Sequence, residues 1–71
     1  MIITVELKRR GNNPVRGIIQ IGDQAKDTIG GKASFDITEG QYTIRGLAMG
    51  YHFESKIIQV VGDAEVVIEA R

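Results

Sequence analysis

The alternation across residues 30–51, GGKASFDITEGQYTIRGLAMGY, constrains this chain most. Ala33, Phe35 and Ile37 alternate with Lys32, Ser34 and Asp36, and after Glu39 and Gly40 the alternation resumes at Tyr42, Ile44, Gly46 and Ala48. Side chains leave a strand on opposite faces with a period of two, so each half reads as a strand with one apolar and one polar face. Joined by a glycine-containing turn, the two halves predict an antiparallel β-hairpin with one buried face. The stretch carries no catalytic pattern.

The flanking sequence repeats the same form. Ile3, Val5 and Leu7 alternate with Thr4, Glu6 and Lys8, which predicts a half-buried strand over residues 2–8. Residues 9–14 end it, because Gly11, Asn12 and Asn13 accept turn conformations and Pro14 has no N–H to donate to a ladder. The next strand is expected from Val15, with Val15, Gly17, Ile19 and Ile21 on one face and Ile18 looking outward. A glycine inside a strand marks a bulge or a close approach, so Gly17 predicts one or the other. After Gly22 and Asp23, residues 25–29 read as a short polar strand. Residues 49–53, Met-Gly-Tyr-His-Phe, form an aromatic corner. Residues 54–61 are a strand with Ile58 and Val60 inward, and after the Gly62-Asp63 turn Ala64, Val66, Ile68 and Ala70 give the last strand its apolar face. Six or seven short strands, glycines at the turns and no sustained helical period predict an all-β fold. The expected architecture is one domain over residues 1–71, a small antiparallel two-sheet sandwich, with a closed barrel as the alternative.

Composition narrows the functional classes. A chain of 71 residues without cysteine must be held by packing and backbone hydrogen bonds, with neither disulfides nor thiolate metal sites. Nine basic residues balance nine acidic ones, so no net field draws the chain to nucleic acid or to an anionic membrane. The start, MIITVELKRR, alternates where a signal peptide would have an apolar run, and no segment approaches the length of a membrane span. These features predict a soluble domain with neither nucleic acid nor membrane as partner.

A family resemblance runs along nearly the whole chain. Pro14-Val15-Arg16-Gly17, Thr28 with Gly31-x-Ala33-x-Phe35, Gly40-x-Tyr42-x-Ile44, Ala48 and Gly50-Tyr51 resemble the carboxypeptidase regulatory-like domains. These belong to the wider transthyretin-like, or prealbumin-like, superfamily. Two positions depart from the pattern: Gly46 stands where a β-branched residue is usual, and the Ile29-Gly30-Gly31 turn lacks an acidic residue before its second glycine. The resemblance implies a seven-stranded sandwich acting as a non-enzymatic accessory, adhesive or structural module attached to enzymes, receptors, surface proteins or filaments.

Candidate chemistry is sparse. His52 is the only histidine, so a metal site would need it together with carboxylates, and the expectation is no metal and no cofactor. Ser34 and Ser55 are the candidate nucleophiles, but the spacing does not bring either to His52 with an orienting acid. The hydroxyisourate hydrolases, which share a transthyretin-like fold, carry several histidines and a Tyr-Arg-Gly-Ser terminus that this chain lacks, so no enzyme activity is expected. Gly30-Gly31 opens a strand where a phosphate cradle opens a helix. Lys8, Arg9 and Arg10 read as a solvated strand end that discourages aggregation. Tyr51 and Phe53 are the candidate stacking pair for a carbohydrate ligand, the alternative reading, although one aromatic pair at a corner is more often core closure than a platform.

Association is the remaining expectation. Ile18, Ile57 and Val67 are the apolar residues that alternation turns outward, and residues 54–61 and 64–70 lack the proline and dense charge that blunt an edge strand. They are the candidate contact residues of a homo-oligomer or of docking to a larger protein assembly.

Overall fold

The computed structural model describes residues 1–70, and its regular structure is entirely β. The first strand, β1 (Ile2–Arg9), turns through residues 10–12 into the two-residue β2 (Asn13–Pro14). Then come β3 (Ile18–Ile21), β4 (Gln24–Asp27), β5 (Lys32–Asp36), β6 (Gly40–Leu47), β7 (Lys56–Val60) and β8 (Ala64–Glu69). The predicted all-β two-sheet sandwich is present, with seven longer strands and the short β2.

In the first sheet β1 lies at the centre, with β5 and then β2 along one edge and β8 along the other. In the second the order is β4-β3-β6-β7. Every strand pair is antiparallel except β1 with β8, which run parallel with Val5 beside Val66 and Leu7 beside Ile68.

The largest correction concerns residues 30–51. Strands β5 and β6 do not pair; β5 bonds to β1 in the first sheet, while β6 bonds to β3 and β7 in the second. The connection at residues 37–39 is therefore an arch over the core. Alternation specifies which face is buried but not which sheet a strand joins, and a hairpin and an arch share the same pattern. The β7 to β8 connection crosses in the same way.

The second correction concerns Val15. The strand begins at Ile18, and residues 15–17 cross from the first sheet to the second. Val15 is buried at this crossing, and its N–H donates to the Leu7 carbonyl at 2.9 Å. Gly17 is the close approach the sequence predicted: a Cβ there would lie 2.3 Å from the Leu47 carbonyl oxygen. Its N–H donates to Thr28 Oγ1 and its carbonyl accepts from the Thr28 N–H, both at 2.9 Å, which ties the start of β3 to the end of β4.

Ile3, Val5 and Leu7 from β1 meet Phe35, Ile19, Ile21, Ile44, Val60 and Ile68 in one core between the sheets. The two sides of the sandwich differ. On one, Lys26 of β4 reaches the Ser34 carbonyl of β5 at 2.6 Å, and its ammonium lies 5.3 Å from the centre of the Phe35 ring. On the other, β7 and β8 are the end strands of their sheets, connected through residues 61–63 and, beyond their far ends, by the bridge between Phe53 and Ala70.

Ile44 is fully buried. Ile44→Asp places an unpaired carboxylate there at a cost of about 3 kcal/mol or more, a large part of the stability of a domain this small. The expected result is loss of the cooperative thermal transition followed by circular dichroism. A melting temperature near that of the parent would contradict the inward assignment of this face.

Candidate interaction surfaces

The pairing registers assign each exposed apolar residue to a face. On the outer face of the second sheet, Ile18 lies opposite Leu47 on one side and Asp27 on the other. Ile18 is 41% exposed and Leu47 58%, so the two form a cross-strand apolar pair open to solvent. Ile57, 65% exposed, lies opposite Thr43 on the same outer face, and Arg45 of β6 stands between it and the Ile18–Leu47 pair. Ile58 turns inward and is half-buried, and Val60 is buried, as the sequence predicted.

Val67 is exposed as expected, at 44%, but on the other side of the molecule. It lies beside Glu6 on the outer face of the first sheet, along a strand it shares with Glu65 and Glu69. That face is polar: Glu6 pairs with Lys8 at 3.3 Å and with Lys32 at 4.0 Å, and the hydroxyls of Thr4 and Ser34 lie 3.1 Å apart. Ile18, Ile57 and Val67 are therefore each outward but do not form one patch within a single copy. The reason is the crossing at residues 61–63, which reverses the outward direction between β7 and β8.

The structure corrects one half of the stacking pair. Phe53 is 8% exposed and belongs to the core, so it cannot offer a face to a sugar ring. Gly46 makes room for it. A Cβ on Gly46 would lie 2.7 Å from Leu7 Cδ2 and 3.1 Å from Phe53 Cγ, so the ring fills the space a side chain at 46 would take. Phe53, arriving from the corner at residues 49–53, thus occupies the place of a side chain at 46. Tyr51 stays exposed, with its ring centroid 6.5 Å from that of Phe53 and the two planes tilted by 37°. It lines a shallow depression with Arg9, Arg10 and Glu69.

Other residues escaped the sequence reading. Leu47, Ile29, Met49 and Val61 are all exposed. Leu47 was within reach, because the alternation that turns Ile44, Gly46 and Ala48 inward turns Leu47 outward. Val61 was within reach in the same way, next to inward Val60, whereas Ile29 and Met49 lie in or beside turns, where periodicity is silent.

His52 and Ser55 border one open depression together with Arg45, whereas Ser34 lies across the sandwich on β5. Among the described residues no hydrogen bond joins His52 to either serine, and no group of three or more His, Asp or Glu side chains gathers as a metal-ligand set.

No protein-family model matches the sequence, and comparison with curated proteins returns no match. Among solved structures, the chain is similar to the Caf1A usher C-terminal domain, at 14% identity and a TM-score of 0.53, over 99% of this chain and 96% of that one. That domain carries conserved hydrophobic clusters on its surface that are important for F1 antigen assembly. At this identity the likeness establishes the small Ig-like sandwich fold.

The exchange between Gly46 and Phe53 gives a test. Gly46→Val overfills the slot and should cost about 1–3 kcal/mol. Phe53→Ala should cost less in the Gly46→Val background than in the parent, since the new side chain strikes the ring as well as Leu7 Cδ2. Chemical denaturation of both single variants and the double variant measures this. Additive losses would show that the two positions do not share space.

Proposed function

We propose that this chain is a non-enzymatic structural or protein-interaction module that associates with copies of itself within a larger assembly. The observation that carries this reading is the division of its apolar side chains. Among the described residues thirteen hydrophobic residues are buried, while ten large ones are exposed. Isolated exposed apolar residues are ordinary, but adjacent ones such as Ile18 and Leu47, and those on end strands such as Ile57 and Val67, are the form of an interaction surface.

Two likenesses support the same class. The carboxypeptidase regulatory-like pattern belongs to accessory and structural modules, and the Caf1A usher domain carries surface hydrophobic clusters important for an assembly. Burial of Phe53 leaves the carbohydrate-binding alternative with Tyr51 alone, which is too little for a stacking platform.

Sedimentation equilibrium over a dilution series tests the proposal. The expected outcome is a mass that rises above 7.8 kDa with concentration. A mass that remains monomeric at the highest concentration reached would rule out self-association.

A further inference from the structure

The self-association reading can be taken to a specific contact. Strand β8 pairs with β1 along one edge only, and β7 pairs with β6 along one edge only. Among the described residues, their other edges carry backbone N–H and C=O groups without a strand partner, on the same side of the sandwich. The opposite side is fastened by Lys26 across β4 and β5. Neither β7 nor β8 contains proline, and the only charge in β7 is Lys56 at its start. Unprotected edges of this kind are templates for pairing with another strand.

A second copy can meet this side in two symmetric ways. A two-fold axis perpendicular to the strands would join β8 to β8 and β7 to β7. In the register that centres the axis on Val67, that arrangement sets Glu65 of one β8 opposite Glu69 of the other, and like charges directly opposite destabilise a pair. A two-fold axis parallel to the strands joins β7 of each copy to β8 of the other. Because β7 and β8 run in opposite directions, the new pairs are antiparallel, and the first sheet of one copy continues into the second sheet of its partner.

The second arrangement also resolves the separation of Ile57 from Val67. Phe53 bridges Ala70 at one end of this side, and Ile57 and Val67 both lie in the strands that run from that end, in β7 and β8. Ile57 faces outward, so the pleat sets it beside an outward residue of the facing strand, Val67 or Glu65. In one copy Ile57 and Val67 lie on opposite outer faces. In the joined sheets they lie on the same face as cross-strand neighbours, and the arrangement occurs twice. Half-buried Ile58 and Val66, which face the core at this open side, are covered at the same time.

We infer that two copies of this chain form a two-fold dimer by reciprocal pairing of β7 with β8, with Ile57 of each copy beside Val67 of the other.

The absence of cysteine makes the test direct. Ile57→Cys and Val67→Cys are prepared as single variants and as one double variant, and oxidation is followed by denaturing gel, alongside sedimentation of the unmodified chain. Circular dichroism confirms that each variant is folded, as exposed positions allow. The expected result is a band of twice the monomer mass from the double variant, and from a mixture of the single variants. It should form at least about tenfold faster than from either single variant alone, because the dimer holds the two thiols at high effective concentration. If Val67→Cys alone cross-links as fast, β8 pairs with β8 and the inference falls. If sedimentation shows association while neither mixture nor double variant cross-links faster than the single variants, the contact lies elsewhere; the inference falls and the self-association reading stands. If sedimentation shows a monomer throughout and no variant cross-links, both fall.

Discussion

Bonding along both edges of β1 is the constraint on which the first sheet depends. Its inward residues Ile3, Val5 and Leu7 are fully buried, and its two edges receive strands from the middle and from the end of the chain. A strand with both edges occupied and one face in the core has no freedom to slip, since a shift of one residue would turn Ile3, Val5 and Leu7 outward. Each crossing of the chain between the sheets is then bounded by where β1 leaves room for β5, β2 and β8. The Ile2 N–H donates to Asp63 Oδ1 at 2.8 Å, which pins the last of these crossings to the beginning of the strand it serves.

Much of this order was legible in the sequence. The alternation placed β1, β5, β6, β7 and β8 and gave their inward faces, because burial of one face leaves its period in the residues themselves. The pairing partners were not legible in the same way. Residues 30–51 show two strands with inward faces on either side of a glycine, and nothing local distinguishes folding back in one sheet from crossing to the other. The choice is made by β1 and β3, which compete for the edges of β5 and β6 from far away in the chain. Gly17 was readable as a close approach, but the approaching group, the Leu47 carbonyl, lay beyond any local pattern.

The surface divides in the same manner. Exposure of Ile18, Ile57 and Val67 followed from alternation alone, whereas their distribution over two faces followed from the crossings. Phe53 shows the opposite limit. An aromatic pair at a corner is open to both core closure and display on the surface, and only the empty position at Gly46, in another strand, discloses where the Phe53 ring goes. A glycine on the inward face of an otherwise apolar strand is a signal for a side chain arriving from elsewhere, and here Gly46, in line with Tyr42, Ile44 and Ala48, was that signal.

The parallel pairing of β1 with β8 also bears on how the chain reaches its fold. The first strand waits for the last, so closure of that ladder requires ordering nearly the full length of the chain, and contacts between residues so distant in sequence slow folding. Until β8 arrives, β1 has an open edge beside the exposed inward residues Ile3, Val5 and Leu7. During synthesis that interval lasts through the translation of everything between them, about 3–12 s at ordinary elongation rates. The same strand that organises the finished sheet is thus the one most exposed to wrong pairing while the chain is incomplete.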